Sequence, residues 1–86
     1  MDFKKSKAKN KKYSVKTPKG NIINFGDKRY TQYFDNALGL YKNQNNNDDE
    51  RRKSYRARAS KITNKKGELT FKNPEYANYY SYNFLW

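Results

Sequence analysis

A chain of 86 residues with neither cysteine nor histidine has no route to disulfides, thiolate metal sites or any reaction resting on an imidazole base. Only 34% of its residues are apolar, so one small domain with a thin core is the most it can build. Its 20 lysines and arginines face 8 acids, a formal charge of +12 that predicts attraction to polyanions or acidic protein surfaces.

Residues 1–12 hold Lys4, Lys5, Lys7, Lys9, Lys11 and Lys12 against the single acid Asp2. With no periodicity, this segment reads as a flexible basic arm ahead of one compact domain over 13–86. The opening Met1-Asp2-Phe3-Lys4-Lys5 lacks the apolar centre of a secretory signal, and no apolar run approaches the ~18 residues of a membrane span.

Lys12 to Thr17 alternates polar and apolar, Asn21 to Phe25 is β-branched and aromatic, and Pro18-Lys19-Gly20 between them is turn chemistry. This pattern predicts a β-hairpin, with Tyr13 and Val15 on one face and Ile23 and Phe25 on one face of the partner strand. Gly26 is expected in a backbone conformation that a side chain resists, and Asp27 is placed to pair with Arg29 or to cap the next segment. Tyr30, Tyr33 and Phe34 lie at i, i+3, i+4, which predicts a short helical turn packing its rings on the hairpin. Asp35 to Tyr41 reads as a turn with apolar anchors, and Asn43 to Asn47 as a flexible polar loop.

The segment from Asp48 to Ile62 carries the clearest helical period and reads as the central element. Tyr55, Ala59 and Ile62 form its apolar stripe, Asn47 or Asp48 its cap, and Asp48, Asp49 and Glu50 the acids favoured by the dipole. Arg51 and Arg58 flank the stripe and are expected to stack on rings or to bond buried carbonyls, Asp27 or Asp35. Arg52 flanks the stripe on its other side, while Lys53 and Arg56 point further out, Arg56 on the shoulder.

After a turn at Thr63–Gly67, Glu68 to Phe71 reads as a short strand able to pair with an edge of the hairpin. Asn73-Pro74-Glu75 is a helix-start pattern. The aromatic run from Tyr76 to Trp86 fits both helical and alternating periods, and reads as a short helix and then an extended end. Trp86 is expected inside the core or against a partner. The fold class is therefore α+β: a β-hairpin or three-stranded antiparallel sheet against one central helix, with a short aromatic C-terminal helix or extended end. Its core is expected from Tyr13, Val15, Ile23, Phe25, Tyr30, Tyr33, Tyr55, Ile62, Tyr80 and Trp86.

Several pieces occur in a recognisable order: Tyr13-Ser14-Val15, Gly20, Phe25-Gly26-Asp27-Lys28-Arg29-Tyr30, Gly39-Leu40-Tyr41, Asp48, Arg51-Arg52-Lys53-Ser54-Tyr55-Arg56, Arg58, Tyr80-Ser81-Tyr82 and Leu85-Trp86. The set spans Lys12 to Trp86. It resembles a family of small uncharacterised basic proteins of large and giant DNA viruses of eukaryotes (mimivirus- and phycodnavirus-like), with tailed-phage relatives. The resemblance implies a viral origin and a compact module, and brings no established activity. Relatives tend to carry histidines before the long helix and after its second arginine. This chain has Asn43 or Asn46 and Ala59 there, so an imidazole-dependent role does not operate in it.

Aromatics at 17%, nine of them tyrosine, interleaved with bases suit nucleic acid through phosphate pairing and ring stacking, though such rings equally serve half-buried core positions. The expected function is sequence-independent, non-enzymatic binding of nucleic acid or another polyanion. Its contacts would be Lys4, Lys5, Lys7, Lys9, Lys11, Lys12, Lys16, Lys19, Arg52, Lys53 and Arg56. The alternative is a minor capsid or cement protein docking on acidic capsid subunits by its arm, sheet edge and aromatic end. A nuclease would need clustered acids, and Asp48-Asp49-Glu50 is better spent on capping. No cofactor, metal, membrane or small-molecule substrate is expected. The expected location is the virion or infected cell (viral factory or nucleus), without secretion.

Overall fold

Residues 2–86 are described by a computed structural model. Alternation and turn chemistry produce the hairpin: β2 (Lys11–Lys16) and β3 (Ile22–Asp27) pair antiparallel, with Tyr13 opposite Phe25 and Val15 opposite Ile23. The connection closes through the Gly20 N–H on the Thr17 carbonyl at 2.9 Å, with Gly20 at φ 87°. A glycine at that angle carries no Cβ penalty.

The third strand comes from the segment expected to be a free arm. β1 (Phe3–Lys5) pairs antiparallel with β2, Phe3 opposite Val15 and Lys5 opposite Tyr13, giving the order β1-β2-β3. Phe3 is the reason. Its ring meets Phe84 edge-on at 4.8 Å and Phe25 at 5.6 Å, so one aromatic anchors a lysine-rich strand whose charges remain in solvent. Lysines on an edge strand also discourage further strand pairing. Glu68 to Phe71, the expected third strand, makes only a single Thr63–Leu69 bridge and a 3₁₀ turn at Thr70–Lys72.

The core lies between the sheet and the C-terminal segment: Tyr13, Val15, Phe25, Tyr80 and Leu85 are all at most 2% exposed. Full burial of a Val, Leu or Phe side chain contributes about 1.5–3 kcal/mol. The helix that covers the sheet is α2 (Ala77–Phe84), which packs on β3, while α1 (Asp49–Ala59) packs on α2. The long helix therefore does not occupy the central place expected of it. Only its Ala59 is buried, because a helix with so few apolar residues has little to bring to a core.

Asp48 caps α1, its Oδ1 accepting the N–H groups of Glu50 and Arg51 at 3.1 Å. The helix ends three residues before Ile62, and the Ala59 carbonyl accepts Asn78 Nδ2 at 2.9 Å, tying α1 to α2. Ile62 is consequently 51% exposed rather than in the core. Tyr30 is 66% exposed for a related reason: residues 27–30 form a tight turn instead of a helical one. Asn73 caps a turn rather than α2, its Oδ1 accepting the Glu75 N–H at 2.9 Å.

Candidate polyanion interface

Of the 20 cationic side chains, Lys12, Arg52 and Arg56 are drawn inward and Arg29 is paired with Asp27. The other sixteen are exposed, with no carboxylate in ion-pair range among the described residues. Lys4 and Lys5 lie on β1, Lys7 and Lys9 in the connection to β2, Lys11 and Lys16 at the two ends of β2, Lys19 in the hairpin turn and Lys53 on α1; all eight are exposed. All eight are among the expected contact residues. Arg29 reaches Asp27 through Nε at 3.0 Å and Nη2 at 2.8 Å, a fork that draws the Asp27 carboxyl down to about 2.

Lys12, expected to meet phosphate, is 1% exposed. Its Nζ donates to the Tyr30 carbonyl at 2.9 Å and to Gln32 Oε1. Burial lowers its pKa to about 8, outweighing the opposing pull of Asp35 and Asp27. Gln32 in turn donates through Nε2 to the Tyr41 carbonyl at 2.8 Å and Asn45 Oδ1 at 2.7 Å. Asn45 Oδ1 also accepts the Asp35 N–H, and Tyr13 Oη donates to Asp35 Oδ2 at 2.5 Å. Burial and the Asp35 carboxylate push the Tyr13 hydroxyl well above its ordinary pKa. A continuous polar network thus runs under the 30–45 loops, where the sequence pattern offered only aromatic spacing. Its one sequence signal is Gly26. A Cβ there would stand 3.1 Å from the Lys12 stem and 3.0 Å from Leu85, so the glycine makes room for the buried lysine.

Arg52 and Arg56 are also turned inward. Their Nε atoms donate to the Trp86 carbonyl at 2.7 and 3.0 Å, and their guanidinium groups lie over the rings of Tyr33 at 4.9 Å and Tyr82 at 4.4 Å. Tyr55 stacks on Trp86 at 4.5 Å with 12° between planes. The inner face of α1 is therefore Arg52-Tyr55-Arg56-Ala59, a cation–aromatic seam. Arg51 and Arg58, expected inside, are exposed.

Their exposure opens a cleft of about 930 Å³ between α1, the 27–32 turn, the start of β2 and the C-terminal residues. Lys11, Arg51 and Arg58 supply unpaired positive charge to it; Tyr30, Tyr55 and Trp86 supply rings. Asp27, Asp48 and Glu50 also line it, the first paired with Arg29 and the second occupied as the helix cap. The cleft was hidden in the sequence because Tyr30 and Trp86 both read as core. Among the described residues no group of three or more acids is placed to hold a metal ion, and no helix is long and apolar enough to cross a membrane.

Residues 1–37 match a family of unknown function (DUF5754). That stretch comprises the whole sheet, the Tyr30 turn and Asp35, and stops before α1. No curated protein and no solved structure gives a significant match to the chain.

Proposed function

We propose that this is a non-enzymatic small basic viral protein that binds nucleic acid or another polyanion without sequence preference. The carrying observation is the set of sixteen exposed cationic side chains with no carboxylate in range among the described residues. Point charges on flexible stems neutralise phosphates but read no base edges. The contact set is the expected one without Lys12, Arg52 and Arg56, with Arg51 and Arg58 added. The viral origin, with a place in the virion or infected cell, rests on the family resemblance of residues 12–86.

Fluorescence anisotropy against a labelled DNA duplex at rising salt tests this reading. With roughly six phosphates neutralised, log K falls against log salt with a slope of about −5. Unmeasurable affinity in dilute salt removes the proposal.

A second reading, a minor capsid or cement protein, is favoured by one observation. Phe34, Leu38 and Leu40 lie 39%, 49% and 54% exposed in one loop, apolar surface that a protein partner would cover. Its basic surface would face acidic capsid subunits. Mass spectrometry of purified particles tests it, since absence from virions eliminates the role.

A further inference from the structure

We infer that the cleft beside α1 takes single-stranded nucleic acid, one base stacking on the Tyr30 ring while Lys11, Arg51 and Arg58 neutralise the phosphates around it. The inference rests on the polyanion reading and narrows it to one class of ligand and one site.

Tyr30 carries the argument. In a chain short of apolar residues its ring stands 66% exposed, in no ring–ring pair and with no hydrogen bond from its hydroxyl among the described residues. Its backbone is nonetheless fixed from both sides. The Tyr30 N–H donates to the Asp27 carbonyl at 3.1 Å, and its own carbonyl accepts the buried Lys12 ammonium at 2.9 Å. The Arg29 guanidinium, locked onto Asp27, lies over the ring at 5.8 Å. A costly buried cation is thus spent on holding a turn whose aromatic side chain points away from the core. That is the arrangement of a preorganised stacking platform.

The rest of the cleft fits the same ligand. Tyr55 and Trp86, themselves stacked, provide further aromatic lining. At about 930 Å³ the cleft is of small-molecule dimensions, room for a nucleotide or two rather than a duplex. A base reaches Tyr30 only when free of its own helical stack, so single strands are preferred. The carboxylate of Glu50 disfavours phosphate at one side and helps fix where the backbone runs.

Trp86 is the only tryptophan and lines the cleft, so its emission reports occupancy. The full chain is titrated with a labelled mixed-sequence DNA single strand of a dozen nucleotides, with the corresponding duplex and with heparin, following anisotropy and Trp86 emission. The expected result is binding to all three, with emission quenched by the single strand alone. Tyr30→Ala, checked for folding by its thermal melt, is expected to weaken single-strand binding by roughly 5- to 150-fold, the range of one lost stacking contact. Heparin affinity stays unchanged, and Tyr30→Phe retains single-strand affinity. Quenching by heparin, or equal loss of all three ligands in Tyr30→Ala, overturns the stacking site while leaving polyanion binding in place. Failure of all three ligands to bind overturns both.

Discussion

Lys12 offers the sharpest test of the fold, through the pH dependence of stability. Buried and bonded only to neutral oxygens, its ammonium has a pKa of about 8 in the folded chain, against about 10.4 when unfolded. Between those values the unfolded state binds more protons, so stability rises with pH. The destabilisation is complete below pH 8 and is relieved toward pH 10.5. For these two values the linkage integral gives a gain of about 2 kcal/mol between pH 7.5 and 9.5. Tyr13, Tyr55 and Tyr80 have raised pKa values and act oppositely: their stabilisation is intact below pH 10 and lost above it. The measurement therefore stops at pH 9.5. Other lysines titrate generally, so the quantity of interest is the difference between the wild type and Lys12→Met, which keeps the stem without the charge. Urea unfolding monitored by Trp86 emission should give a wild-type-minus-variant difference that grows by about 2 kcal/mol over that window. At pH 7.5 the two should differ little, since the variant loses two hydrogen bonds as it escapes the buried charge, effects of about 1–3 kcal/mol each way. A difference that stays flat with pH would refute the reasoning, because the ammonium would then be as well solvated inside as outside.

The division of α1 into two faces predicts opposite phenotypes for adjacent residues. Arg52→Ala loses the bond to the Trp86 carbonyl and the contact with Tyr33; it should cost about 1–2 kcal/mol in thermal unfolding and leave the salt slope of DNA binding alone. Lys53→Ala should keep stability within about 0.5 kcal/mol and lower that slope by about 1. Phe3→Ala tests whether the N-terminal segment belongs to the fold. Removing a half-buried ring that meets Phe25 and Phe84 should cost about 2–3 kcal/mol by urea denaturation, whereas a free arm would give no change.

The hairpin was legible because local chemistry specifies it: alternation sets the faces of β2 and β3, and Pro18-Lys19-Gly20 can do little but turn. The cap at Asp48 and the burial of Tyr80 were legible for similar reasons. What the pattern concealed involves residues acting against type. Lysine density made residues 3–5 look unstructured, and nothing local reveals that Phe3 finds Phe84 across the chain. Tyr30, Tyr33 and Phe34 have helical spacing, but Gln32 and Asp35 beside them are buried polar groups that dictate a network of loop hydrogen bonds instead. Arginine was assigned inside or outside by its distance from an apolar stripe. The actual inner face was chosen by ring positions on distant segments, Tyr33, Tyr82 and Trp86, so Arg52 and Arg56 exchanged places with Arg51 and Arg58.

That exchange gives the charge of the molecule two distinct uses. A chain with 34% apolar residues cannot hold its loops by hydrophobic burial alone. Lys12, Arg52 and Arg56 therefore act as struts, aimed at backbone oxygens and aromatic faces rather than at acidic side chains. Acidic side chains bonded to these cations would have lowered the outward positive field, and none of the three is bonded to one. Asp35, a buried acid, is consumed by Tyr13 and by backbone N–H groups at Ala37 and Tyr41. The remaining cations repel one another on a body with a Cα radius of gyration of 12.5 Å, and that repulsion opposes folding. A polyanion lying across them relieves it, but the unfolded chain carries the same formal charge. Bound polyanion can favour the folded state only to the extent that this geometry gathers charge and rings better than an open chain does. The cleft beside α1, where cations from two elements and three aromatic residues converge, is where the folded arrangement has most to add.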